Sequence, residues 1–199
     1  SSGALVACIY NRYFDQTSDL ALLKNLFSRM ESFFHGRSSG IDPLSCHAGQ
    51  PLLFNEYAGI HTVQFPLTTP RVYLADTGLT GKTGPLVGMF LEKLKDRWFS
   101  EKIKQEYIPS NDACIQALLS GFRDDFRESV FELSRMQYEL FRHLIPEAFR
   151  DLWQQGYLSS RYAVKLCGSG GGGYLLVFPF DVEMNAVWPS GLPLLEVTL

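Results

Sequence analysis

Cysteine is scarce in this chain, and what there is of it is scattered. The four residues, Cys8, Cys46, Cys114 and Cys167, include no Cys-x-x-Cys pair. Structural zinc sites and disulfide frameworks need closer grouping. Free buried thiols in a reducing cytosol are the expectation. The absence of a signal peptide agrees with a cytoplasmic location. A surplus of positive charge is missing too: 18 Lys and Arg stand against 21 Asp and Glu, a net charge of −3. Nucleic-acid binders carry a basic surplus or a basic stripe, so no nucleic-acid partner is expected. No apolar run reaches the roughly 18 residues that suggest a membrane span. The longest, such as Tyr174–Phe178, have the length of a strand. There are no repeats, and the only low-complexity tract is a short run of glycines.

What is present is enough for one large domain or two small ones: 199 residues, 46% of them hydrophobic. Residues 4–14 read as an apolar helix with Ser1 and Ser2 where its cap should be. Asp19 reads as the cap of a second helix reaching about Phe34. Its stripe is Leu20, Leu23, Phe27, Met30 and Phe34. Residues 35–43 read as a turn-rich loop, 51–55 and 62–65 as short strands, and 66–70 as a linker. This places one lobe at 1–66 and another at 70–199. The second begins with a strand at 71–75 and a helix at 84–98. Two or three helices then fill 110–155. Strands follow at 161–166, 174–178 and 194–199. Strands enclosing helices make this an α+β fold.

Three features carry chemistry. Lys165 to Tyr174 read Lys-Leu-Cys-Gly-Ser-Gly-Gly-Gly-Gly-Tyr. Glycines accept unusual backbone angles and let another group come close. Gly168, Gly170 and Gly173 formally match GxGxxG, but a strand follows where a dinucleotide fingerprint requires a helix. The run contains no Gly-Lys-Ser/Thr, so it is not a Walker loop. A plain hairpin turn is the other reading, although a hairpin needs only one or two glycines. The second feature is Ser1-Ser2-Gly3-Ala4 at the head of a helix, where free N–H groups and the helix dipole attract phosphate. Serine there is also an ordinary cap. The third is a pair of carboxylates. Glu31 falls on the apolar stripe of its helix, four residues after Phe27, so a metal ion, an Arg or a set of hydrogen bonds should meet it. An edge position open to solvent is the alternative. Asp42 follows a glycine turn and reads either as turn chemistry or as a general base.

Together these pieces resemble the GHMP kinases, and within them the mevalonate kinase branch. Ser1-Ser2-Gly3-Ala4 is similar to the end of the family's second motif, Gly-Leu-Gly-Ser-Ser-Ala-Ala. Lys165–Gly173 is similar to its third, Lys-Leu-Thr-Gly-Ala-Gly-Gly-Gly-Gly, with Cys167 in place of Thr and Ser169 in place of Ala. Glu31 to Asp42 resembles Glu-x-x-x-His-Gly-x-x-Ser-Gly-Ile/Val-Asp without a gap. Asp76-Thr77-Gly78 through Thr83 resembles Asn/Asp-Thr-x-x-x-x-x-Thr, with Gly81 where a basic residue is frequent. The resemblance spans nearly the whole chain in the family's motif order. It implies a two-lobe GHMP-kinase-like fold whose C-terminal lobe is ferredoxin-like with added helices. It also implies that the chain begins inside the ATP-binding loop, with further sequence upstream of Ser1.

The implied cofactors are ATP and Mg²⁺. Ser1, Ser2, Gly168, Ser169, Gly170, Gly171 and Gly172 would meet the nucleotide. Ser2 and Glu31 would hold the metal. Asp42 would take the proton of the acceptor hydroxyl, with His35 and Thr83 on the substrate side. The implied reaction is phosphorylation of a small alcohol, foremost mevalonate in isoprenoid synthesis. The galactokinase branch shows Met-Asp-Gln near its base, unlike Ser39-Gly40-Ile41-Asp42-Pro43, and homoserine kinases generally lack the aspartate. A phosphomevalonate or sugar kinase, a non-catalytic nucleotide-binding relative and an inactive fragment stand as alternatives. No membrane partner is implied. The oligomeric state is left open, a homodimer included.

Overall fold

The chain divides between Gln64 and Phe65 into two units, with one hydrophobic cluster in the first and two in the second. The structure is a computed structural model. It describes every residue except Ser1, Arg37, Glu56, 67–69, 81–82, Asp181 and 198–199, and it leaves out the side chains of His35 and Thr83.

The first unit holds α1 (Ser2–Tyr13), α2 (Leu20–His35), α3 (Ile41–Ala48), β1 (Leu52–Asn55) and β2 (Gly59–Thr62). Asp19 caps α2: its carboxylate accepts from the N–H groups of Ala21 and Leu22 at 3.0 and 2.9 Å. The α2 stripe buries Leu23 and Phe27 against Val6 and Tyr10 of α1 and Leu44 of α3. Tyr10 and Phe27 meet edge to face at 5.1 Å, an arrangement worth about 0.5–1.5 kcal/mol beyond burial. Phe34, at the end of the stripe, is exposed.

Two local expectations fail here. Residues 41–43 belong to helix α3 and not to a loop. Pro43 looked like a loop residue, but the first turn of a helix tolerates proline because its N–H would be unpaired there anyway. The second strand lies at 59–62 and not at 62–65. The Asn55 side chain accepts from the N–H groups of Tyr57 and Ala58, both at 2.8 Å. That turn closes the hairpin early and sets the pairing Leu52↔Thr62.

The second unit begins with β3 (Val72–Asp76), followed by α4 (Thr83–Lys93), α5 (Arg97–Lys102), α6 (Ile108–Ser120), α7 (Arg123–Phe141) and α8 (Glu147–Ser159). Then come β4 (Tyr162–Leu166), β5 (Tyr174–Pro179) and β6 (Leu194–Val197). The single helix expected over 84–98 is broken, because Asp96 caps a new one by accepting from Phe99 N–H at 2.8 Å. A π-helical turn, Ile103–Tyr107, joins α5 to α6. Pro109 explains it: proline has no N–H to donate and its ring crowds the preceding turn. The strands form one antiparallel sheet in the order β4-β5-β3-β6. Between β3 and β4 run the helices. Between β5 and β6 there is a 3-10 turn, Met184–Ala186. This is the split β-α-β topology of a ferredoxin-like sheet with helices added.

β4 is an edge strand, and unpaired edge groups must be covered or solvated. Helix α7 covers them with side chains. Ser134 Oγ accepts from Val164 N–H at 3.3 Å, and Gln137 Oε1 accepts from Leu166 N–H at 2.9 Å. Both residues are buried. Gln137 also donates to the Tyr107 hydroxyl at 2.8 Å. Replacing Gln137 by Leu strands the buried Leu166 N–H, at a cost of about 1–3 kcal/mol, and takes the donor from the half-buried Tyr107 hydroxyl. Urea unfolding of Gln137→Leu is expected to show a loss of at least about 1 kcal/mol at unchanged m-value, with faster hydrogen exchange at the Leu166 amide.

Candidate active site

The first unit gathers its polar groups around one carboxylate. Glu31 is 5% exposed, as a residue on an apolar stripe should be. The Ser2 hydroxyl donates to Glu31 Oε1 at 2.8 Å. The Ser38 hydroxyl donates to the other oxygen, Oε2. Of the three partners anticipated for Glu31, the one found is a set of hydrogen bonds. Ser38 is held in turn: its N–H donates to Ser32 Oγ at 3.1 Å, its carbonyl accepts from Ser28 Oγ at 2.6 Å, and its hydroxyl accepts from Gly40 N–H at 3.0 Å. Sequence reasoning did not single out Ser38. Its only signal was a small hydroxyl residue seven positions after a buried acid.

Glycine makes this packing feasible. A Cβ on Gly3 would stand 3.0 Å from Pro43 N and 3.1 Å from the Asp42 Cβ. The start of α1 thus rests against the start of α3, which brings Ser2 and Asp42 to the same end of the unit. Gly40 has φ +75°, in the left-handed region that favours glycine. A Cβ there would meet Lys24 O at 2.2 Å and Ser28 N at 2.7 Å. Asp42 is exposed in the first turn of α3, where the helix dipole favours a carboxylate.

Ser2 and Glu31 offer two oxygen donors on different elements. Hard cations such as Mg²⁺ take oxygen ligands and usually keep one or two carboxylates plus waters and phosphates. No group of three or more His, Cys, Asp or Glu gathers among the described residues. A metal would therefore rest on this pair, completed by phosphate or water, and the donor set fits Mg²⁺.

In the second unit the glycine run is the connection between β4 and β5, so it is a hairpin loop, but a heavily constrained one. Gly168, Gly170, Gly171 and Gly173 all have φ between +59° and +75°. Gly171 N–H donates to Leu144 O at 2.7 Å, and Gly173 N–H to Leu79 O at 2.7 Å. Gly170 N–H reaches Cys167 O at 3.4 Å. Among the described residues no acceptor meets the N–H groups of Gly168 and Gly172. The segment after β3 lies along the loop: Thr77 donates to Gly173 O from both its N–H, at 2.9 Å, and its hydroxyl, at 2.7 Å. Thr77 and Leu79 are thus brought against Gly173 at the end of the loop. A Gly-Lys-Thr triplet does occur, at Gly81–Thr83, but Asp76 stands where a phosphate loop has its first glycine. Ser1 lies outside the described residues. His35 and Thr83 are described by backbone alone, as the last residue of α2 and the first of α4.

No protein-family model and no curated protein matches the chain in sequence. Solved structures do match its fold. A Lin0012 protein from Listeria innocua has a TM-score of 0.73 at 19% identity, over 97% of this chain and 63% of that one. Streptococcus pneumoniae phosphomevalonate kinase, solved with phosphomevalonate and AMPPNP, has 0.68 at 16% identity, over 97% and 65%. L. major mevalonate kinase, solved with R-mevalonate, has 0.67 at 19%, over 94% and 58%. The chain has the α+β fold of the GHMP kinases. It spans less than two thirds of the length of these structures. Their similarity does not favour the mevalonate kinase over the phosphomevalonate kinase.

Gly40→Ala and Gly49→Ala separate backbone conformation from close approach. Gly49 is also left-handed, at φ +59°, with nothing within 4 Å of its missing Cβ. Gly49→Ala is expected to cost about 1–2 kcal/mol. Gly40→Ala is expected to cost at least about 1 kcal/mol more, because α2 must move. Urea denaturation of the two variants in parallel measures the difference.

Proposed function

We propose that the protein containing this chain is a GHMP-type small-molecule kinase that transfers a phosphoryl group from ATP to an alcohol, with mevalonate the foremost acceptor and phosphomevalonate the second. The observation that carries this reading is the buried Glu31 carboxylate receiving the Ser2 hydroxyl at 2.8 Å, on the fold of small-molecule kinases. The Glu31–Asp42 motif spacing favours mevalonate.

Phosphoryl transfer demands positioning and charge neutralisation more than covalent help from the protein. Ser2 and Glu31 would hold Mg²⁺, which when bound neutralises charge on the nucleotide phosphates. The N–H groups at the start of α1 and those of Gly168 and Gly172 are donors suited to phosphate oxygens. Ser169 and the backbones of Gly170 and Gly171 shape the same loop. A free alcohol is a weak nucleophile and must lose its proton as the new bond forms. Asp42 would accept it. His35 and Thr83 belong to the acceptor side, and the setting is the cytoplasm.

Asp42→Asn in the full-length protein tests the base. Turnover of ATP with mevalonate is expected to fall at least about 10²-fold, with little change in melting temperature because the amide is nearly isosteric. Turnover close to the parent's would remove Asp42 from the mechanism. Running phosphomevalonate beside mevalonate decides the acceptor. Glu31→Gln is expected to raise the Mg²⁺ concentration needed for half-maximal rate, since a neutral amide cannot balance the ion. An unchanged Mg²⁺ dependence would make Glu31 structural.

A further inference from the structure

Basic side chains from three elements of the second unit converge on one open cavity of about 340 Å³. Lys93 comes from α4 and Arg150 from α8. Arg142 and His143 come from the 3-10 turn Arg142–Leu144 that follows α7. Leu140 and Glu139 of α7 complete the wall. The chain as a whole carries a net charge of −3, yet the acid here is already held: Arg135 donates to Glu139 Oε1 at 2.5 Å. Among the described residues no carboxylate lies within 4.0 Å of Lys93, Arg142 or Arg150.

Each cation is fixed by a contact other than an acid. Lys93 Nζ lies 3.2 Å from His143 Nδ1 and 5.5 Å from the centre of the Phe99 ring. The Arg142 guanidinium lies 5.3 Å from the centre of the Tyr138 ring. Arg150 Nε donates to Ile145 O at 3.2 Å. These contacts hold the side chains and leave most of their N–H donors over. An ammonium has no lone pair to offer, so His143 Nδ1 is the acceptor and the imidazole is neutral, with its proton on Nε2. Burial and then the Lys93 charge hold the His143 pKa below its ordinary value. A proton added to the ring would join Lys93, Arg142 and Arg150, with only the engaged Glu139 facing it from the cavity wall. Helix dipoles account for part of this. Lys93 is in the last turn of α4 and Arg142 directly follows α7, where cations are favoured. Arg150 is not explained that way, because it stands at the start of α8, where the dipole opposes a cation. Three held cations without an acid suit an oxyanion of two charges, whose several oxygens can accept from all of them.

We propose that this cavity is a binding site for a small tetrahedral dianion, sulfate or inorganic phosphate, held among Lys93, Arg142 and Arg150. It is separate from the candidate active site: neither the glycine loop nor Ser2, Glu31 or Asp42 lines it. The proposal therefore does not depend on the kinase reading.

The test is a titration of the full chain with sodium sulfate at low ionic strength, where exposed charges are least screened. The NMR signals of the His143 ring and of the Arg142 and Arg150 side chains report occupancy. Sulfate stays a dianion throughout the range in which imidazole titrates, and sodium acetate at equal ionic strength is the control with one charge. Saturable shifts are expected at all three residues, with sulfate bound at least about five-fold more tightly than acetate, since its second charge faces three cations. Bound sulfate also favours the protonated ring, so His143 is expected to titrate at a higher pH in sulfate than in chloride of equal ionic strength. Arg142 is exposed, so its replacement leaves the fold intact. Arg142→Gln is expected to weaken sulfate at least about three-fold, and Arg142→Lys to restore most of the loss. Inorganic phosphate is expected to displace sulfate. Shifts that do not saturate would overturn the proposal, as would equal binding of acetate. So would unchanged affinity in Arg142→Gln, a His143 titration that sulfate does not move, or phosphate that fails to compete. Shifts confined to the glycine-loop amides would put the ion elsewhere and overturn it too.

Discussion

The first unit is organised by the need to satisfy one buried carboxylate. Glu31 stands on the packed face of α2, where an ionised group without partners would cost several kcal/mol. Two hydroxyls from outside the helix meet it, Ser2 at the head of α1 and Ser38 in the turn that leads to α3. Those bonds link three elements at one point. They also require the backbones to come close, which is why Gly3 lies against Asp42 and Pro43 and why Gly40 lies against Lys24 and Ser28. The glycines are thus a consequence of the acid: without close approach the hydroxyls could not reach it. The same arrangement that satisfies Glu31 in folding sets two side-chain oxygens from separate elements side by side.

The second unit follows a related rule with backbone groups in place of a side chain. The open edge of β4 is closed by Ser134 and Gln137, one helical turn apart on α7. Spacing of three residues puts both on one helix face, matching alternate residues of the strand. Gln137 then fixes Tyr107, which the π-helical turn before α6 carries inward. The glycine loop is pinned from two sides, by Leu144 O and by Leu79 O. Its left-handed residues turn some N–H groups into the protein, while those of Gly168 and Gly172 meet no acceptor among the described residues.

What the sequence by itself determined was whatever depends on neighbours in the chain. The Asp19 cap, the α2 stripe, the glycine-linked pair of strands and the α+β class all rest on spacing within a few residues. The misplacements were also local, and each came from a residue with two meanings. Pro43 ends loops and begins helices, Asn55 can end a strand by folding its side chain back, and Asp96 can interrupt one helix by capping the next. Tertiary structure decided the rest. That Glu31 would be met by hydroxyls rather than by an arginine, that Ser38 would be one of them, and that Ser134 and Gln137 would cover a strand edge are contacts between residues 7 to 30 positions apart. Periodicity shows which face of a helix is buried, but not what it is buried against. A polar group on that face announces only that a partner must exist, and which partner it finds is settled by how the elements pack.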